Sequence, residues 1–157
     1  MDVYGAIDLL LDSSDQGNVF AAYTLGKIFI EGELLPQDIS AGFELLLKSS
    51  EKNFAPAWYF PGKMFYNEIG VAKDIDAAIY YFEKAVKEKN LFAAYQLGKI
   101  YSQEEGHIDI DKAIDYFKLA AQDNNSFAEY RLGKIYLYGN GVEKDYDMAM
   151  YYLHLSA

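Results

Sequence analysis

The chain has 157 residues, 52% of them hydrophobic, with no cysteine and 24 acidic against 14 basic side chains, a formal charge of −10. That length supports one soluble domain with a real core; the missing cysteines exclude disulfides and thiolate chemistry, and the acidic balance disfavours binding to a phosphate backbone. No apolar run approaches the roughly 20 residues that span a bilayer, and no basic segment leading into an apolar core opens the chain, so no membrane or export signal is visible; this favours a cytoplasmic location without fixing the compartment.

Taken in order, the first segment (1–18) aligns with the second half of a unit that then recurs: from Asp2 onward it matches a later helix, Gly5 lying 36 residues before Ala41. The phrase AAYTLGKIF at 21–29 opens the first full unit, and AWYFPGKMF (57–65), AAYQLGKIY (93–101) and AEYRLGKIY (128–136) open the next three. Their glycines, Gly26, Gly62, Gly98 and Gly133, are 36, 36 and 35 residues apart. A second register, Ala41, Ala77, Ala113 and Ala149, repeats at 36, and eight residues beyond stand Ser49, Ala85, Ala121 and Ala157. Self-similarity at this spacing marks a stacked array whose units cannot bury their apolar faces alone. The units are a half repeat (1–18) and full repeats at 19–54, 55–90, 91–125 and 126–157, within a single domain.

Inside a unit, Ala21, Leu25, Ile28 and Phe29 form a stripe of 3.6-residue period, the mark of a first helix, A. Ala41, Leu45 and Ser49, like Ala77, Tyr81 and Ala85, form a second, B. Small residues at one place in every unit suit close helix approach, which keeps the glycine despite a helix cost of ~1 kcal/mol. Between the helices lie turn sequences such as GNGVEKD (139–145), and Asp38, Asp74 and Asp145 stand three residues before the B-helix alanine, where a carboxylate caps free N–H groups. The third unit has Ile110 there, leaving Asp109 or Asp111 to cap and requiring a different loop around His107. Pro61 replaces the leucine of the other copies. Inside helix A it would lack the N–H that bonds to Ala57, at ~3 kcal/mol, and predicts a kink or a late start. On that reading Pro61→Leu raises stability.

The pattern A-x-x-x-L-G-x-x-Y, then G-x-G-V-x-x-D, then A-x-x-Y-Y/F-x-x-A-A resembles Sel1-like repeats, relatives of the tetratricopeptide repeats; the clearest unit runs from Ala128 to Ala157. The resemblance covers almost the whole chain. It implies an all-α, right-handed superhelix of about nine helices in antiparallel pairs, with helix A on the concave side, and an adaptor role between proteins without catalysis. The LGKIY and KD variant also resembles arrays attached to bacterial plasmid-mobilisation relaxases. Neither end carries a polar capping repeat, so the expectation is a piece of a longer protein whose exposed end helices self-associate weakly.

Two ladders run along the A helices: Tyr23, Tyr59, Tyr95 and Tyr130, and, four residues later on the same face, Lys27, Lys63, Lys99 and Lys134. The windows 20–30, 56–66, 92–103 and 127–138 hold five basic side chains, these lysines and Arg131, and one acid, Glu129. A basic, aromatic surface in an acidic chain suits an acidic peptide or a free carboxy-terminus as partner. The competing reading packs the tyrosines between units and pairs the lysines with B-helix acids such as Asp76 and Asp115. No cofactor is expected. His107 and His154 offer no ligand pair for zinc, DID (109–111) and DYD (145–147) do not continue as calcium loops, Gly139-Asn140-Gly141 is no phosphate loop, and Asn124-Asn125-Ser126 matches the glycosylation pattern at near chance frequency. An enzyme would need a nucleophile or base in a fixed pair, which cannot be named here, and a pure spacer would tolerate exchange of the ladders.

Overall fold

A computed structural model describes residues 3–52 and 54–157. Among these it is all-α, with nine helices and no strand: α1 (Val3–Asp15), α2 (Val19–Glu31), α3 (Ile39–Glu51), α4 (Tyr59–Asn67), α5 (Ile75–Lys87), α6 (Leu91–Gln103), α7 (Ile110–Ala121), α8 (Ser126–Tyr138) and α9 (Tyr146–Leu155), with one 3-10 turn at Ala55–Ala57. Asp2, the expected start of the first helix, lies outside the described residues. No described helix is long and apolar enough to cross a membrane.

The chain divides into two compact units, Met1–Glu88 and Lys89–Ala157. In the first, α1 packs on α2, and α2 pairs with α3 and α4 with α5; in the second, α6 pairs with α7, α8 with α9, and α7 packs on α8. Each pair forms because an A-helix glycine receives a large B-helix side chain. A Cβ on Gly62 would meet the Phe82 ring at 2.8 Å, one on Gly98 the Phe117 ring at 2.6 Å, and one on Gly133 the Leu153 side chain at 2.6 Å. On Gly26 it would meet both Leu46 and the Gly42 carbonyl at 2.9 Å. The B-helix stripe therefore sits one residue later than expected in the first two repeats: Gly42 and Leu46, and Ala78 and Phe82, are buried, whereas Ala41, Leu45, Ala77 and Tyr81 are half-exposed. Phe82 and Phe117 are fully buried, each worth about 1.5–3 kcal/mol.

The cause of the offset is in the loops. Segments 32–38, 68–74 and 139–145 join A to B in three repeats, but 104–109 is one residue shorter. Ala113 and Ala149 are thus the equivalents of Gly42 and Ala78, and the buried residue near the end of α7 is Ala120, not Ala121. The same shift places Asp109 in line with Asp38, Asp74 and Asp145. All four carboxylates accept a backbone N–H of the first turn, from Ala41 (2.9 Å), Ala77 (2.9 Å), Lys112 (3.1 Å) and Met148 (2.9 Å). The backbone N–H of each of these aspartates also donates to a carbonyl of the preceding A helix, at Phe29, Phe65, Tyr101 and Tyr136.

The A helices begin on asparagine caps that the sequence reading did not identify. Asn18 accepts from Phe20 and Ala21, Asn90 from Ala93 and Asn125 from Ala128, each such cap worth about 1 kcal/mol. In the second repeat Phe54 occupies the cap position and offers no side-chain acceptor. There the chain makes a 3-10 turn and α4 starts late, at Tyr59. Pro61 is consequently in the first turn of α4, where its missing N–H would have had no intrahelical partner. The late start holds, but the expected penalty inside the helix does not apply, and Phe60 is helical despite preceding proline.

Candidate functional site

In the first unit the ladder residues of α2 and α4 meet around Phe60. Tyr23 packs edge-on against Phe54 (5.3 Å between centroids) and Phe60 (5.8 Å). Lys27 Nζ lies 5.9 Å from the Tyr23 ring centre, 5.7 Å from that of Phe60 and 4.0 Å from the Glu31 carboxylate. Burial, and then the charge of Glu31, push the Tyr23 hydroxyl up from its ordinary pKa. Tyr59 packs on Phe60 (5.7 Å) and Phe82 (5.8 Å). Lys63 is exposed and has no ion pair among the described residues. Lys27, Glu31 and Lys63 line a cleft of about 110 Å³ whose other walls are Ile30, Phe60, Met64 and Ile69.

In the second unit Tyr95 packs on Phe117 (5.9 Å) and on Phe127 of the next repeat (6.3 Å). Lys99 Nζ is 3.5 Å from Gln96 Oε1. Its pKa is lowered, first by burial and then by the Arg131 charge, with Glu104 opposing. Tyr130 is exposed, and Lys134 Nζ sits 5.5 Å from its ring centre. Arg131 and Lys134 face a cleft of about 160 Å³ with Ser102, Gln103 and Asn140, over a floor of Ile110, Phe117 and Ile135. No acidic side chain is among these lining residues.

In the first unit Lys27 and Lys63 share a cleft beside Phe60, and in the second only Lys134 of the ladder residues lines the cleft, with Arg131. Tyr23 and Tyr95 are packing residues between repeats. Lys27 pairs along its own helix, and Lys63, Arg131, Lys134 and Asp115 make no ion pair among the described residues. Two features were missed as site components. Arg131 belongs to the column Thr24, Phe60, Gln96 and Arg131, which changes in every copy while the flanking tyrosines and lysines do not; that contrast was the available signal. The exposed Phe92 and Phe127 wall a separate cleft of about 250 Å³ with Leu91, Ala120 and residues 123–126, and Phe20 stands at the same repeat position. Among the described residues no group of three His, Asp or Glu side chains could hold a metal ion.

Residues 19–54, 58–90, 91–125 and 126–157 each match the model of the Sel1 repeat. No curated protein matches the sequence. Among solved structures, the chain is similar to a protective antigen present in uropathogenic Escherichia coli strains and displaying an SLR fold, with a TM-score of 0.88 and 25% identity over 96% of this chain and 32% of that one. It is also similar to a Sel1 repeat protein from Oxalobacter formigenes, with a TM-score of 0.85 and 26% identity over 99% of this chain and 64% of that one. An immunity protein from Pseudomonas aeruginosa shares the fold at a TM-score of 0.55 and 15% identity, over 96% and 72% of the two chains. The chain thus spans about a third of the first structure and just under two thirds of the second.

Proposed function

Because the chain belongs to the Sel1 repeat family, we propose that it is a non-catalytic scaffold that binds a protein or peptide through the tyrosine and lysine faces of its A helices. The observation that carries this reading is that Lys63, Arg131 and Lys134 stand on those helices without an ion pair among the described residues, in a chain of net charge −10. A cation that neutralises nothing within its own fold is available to a partner's carboxylate at little desolvation cost. The aromatic rings beside the lysines add flat apolar area that loses little entropy on contact. Tyr59, Lys63, Lys99, Tyr130 and Lys134 are the contact residues of this reading, with Tyr23, Lys27 and Tyr95 as their packed supports.

The test is retention of a partner from the host lysate by the immobilised chain and by its Lys63→Glu/Lys99→Glu version, with helical content checked by circular dichroism. Loss of a partner by the folded charge-reversed chain is the expected result. An identical set of retained proteins would move recognition to the acidic surfaces.

A further inference from the structure

We propose that the cleft between α6, α7 and α8 is a carboxylate-binding subsite that takes one glutamate-like side chain of an acidic peptide, held by Arg131 and Lys134. The inference rests on the peptide-binding reading above and deepens it by naming the anchor. Volume comes first. At about 160 Å³ the cleft is smaller than the ~300–1,000 Å³ of sites for small-molecule ligands and cofactors, so it holds one side chain.

The lining then selects the chemistry. Arg131 presents a planar fork that matches a carboxylate with two parallel hydrogen bonds. Lys134 adds a point charge, held in place over the Tyr130 ring. The Asn140 side chain, on an exposed loop residue, is a further donor at the mouth. Ser102 is not counted as a donor, because its hydroxyl already donates to the Lys99 carbonyl at 3.0 Å. Beneath the charges, Ile110, Phe117 and Ile135 form an apolar floor that suits methylene groups and gives nothing to a bare inorganic anion. None of the residues lining the cleft is acidic, and Arg131 and Lys134 make no ion pair among the described residues. The corresponding cleft of the first unit contains its own acid, Glu31, and so is not the anchor.

The experiment titrates the full chain, labelled with nitrogen-15, with N-acetylglutamate α-amide, N-acetylglutamine α-amide and inorganic phosphate, following the Arg131 Nε–H and Asn140 side-chain signals. The expected result is saturable shifts with the glutamate probe at a dissociation constant of about millimolar order, and no saturation with the glutamine probe. Arg131→Gln/Lys134→Gln weakens glutamate binding by about tenfold or more. Asn140→Asp, an exposed substitution that places a like charge at the mouth, weakens it as well and keeps the test valid if the double variant misfolds. Equal shifts from the glutamine probe, or none from glutamate up to about 50 mM, overturn the proposal. Saturation by phosphate alone overturns it too, by making the cleft a phosphoryl site. If glutamate binds here and yet no lysate partner depends on Lys63 and Lys99, the broader function fails and the subsite stands. If a partner is lost on charge reversal but retained by Arg131→Gln/Lys134→Gln, the broader function stands and the subsite fails as its anchor.

Discussion

At the scale of single residues, the packing makes two opposite demands on glycine. Gly98 has none of the left-handed conformations that require it, yet a methyl group there would sit 2.6 Å from the fully buried Phe117 ring. Gly98→Ala is therefore expected to lower stability by about 1–3 kcal/mol despite the better helix propensity of alanine. Equal or higher melting temperature would show that the ring can move aside. Glu68 is the converse case. It ends α4 at φ +56°, in the place where Gly32 and Gly139 end α2 and α8 at φ +69° and +68°. Glu68→Gly should stabilise by roughly 1 kcal/mol, seen as a higher midpoint in urea unfolding; a lower midpoint would mean that the glutamate side chain contributes more than its backbone strain costs. Asp109 carries a pH signature. The Lys112 backbone N–H and side chain hold its carboxyl below the usual range, so the charged form is favoured by folding. That contribution is present above the unfolded value of about 3.9 and is lost as pH falls through the lower folded value. Asp109→Ala should thus lower the melting temperature at pH 7 and make no difference once both forms are protonated. A gap that persists in acid would assign the residue's role to packing.

At the scale of elements, the second repeat shows how a local exception is absorbed. Phe54 replaces a capping asparagine and gains ring contacts with Phe20 (4.5 Å) and Tyr23 (5.3 Å) instead. The helix that it fails to cap starts four residues later than its periodic equivalent, and Pro61 lands in the first turn. Pro61 is fully buried there, so Pro61→Leu adds volume to a filled site without restoring a needed hydrogen bond. The expected outcome, against the sequence-based reasoning, is an unchanged or lower melting temperature; a rise would show that the late start is itself a strain. Most of the element order was legible because four copies of one phrase reinforce each signal. Asp38, Asp74 and Asp145 could be read as caps directly. Asp109 could not be separated from Asp111, because the missing loop residue disguised the register until helix positions fixed it. Asn18, Asn90 and Asn125 stood in the sequence at the spacing of the repeat, but Phe54 in the second copy interrupts the series and hides it as a repeated cap.

At the scale of the whole molecule, what could be read about the site depended on the kind of information involved. The ladders and their charge are properties of the sequence and were legible as such. Which cations are neutralised is a property of side-chain geometry: Lys27 reaches Glu31, whereas Lys134 lies over a tyrosine. Arg131 was counted as a charge but not recognised as a subsite, since nothing in one dimension brings it opposite Gln103 and Ile110. Electrostatic binding by exposed cations is screened over a Debye length of roughly 8 Å at physiological salt. Partner affinity is therefore expected to fall as salt is raised toward about 0.5 M; salt-independent affinity would point to apolar contacts such as those beside Phe92 and Phe127.

The doubly bonded aspartates have a consequence for time as well as stability. Asp38, Asp74, Asp109 and Asp145 each fasten the tail of one helix through the backbone and the head of the next through the carboxylate. Both bonds close over a handful of residues, so the chain-entropy cost of bringing the helices together is small. Each hairpin can assemble before any distant contact is made, and a chain whose pairings are so local belongs with the fast-folding helical proteins of low contact order. The same residues that read as punctuation in the sequence are then the expected starting points of folding, which slower refolding of Asp74→Ala would show.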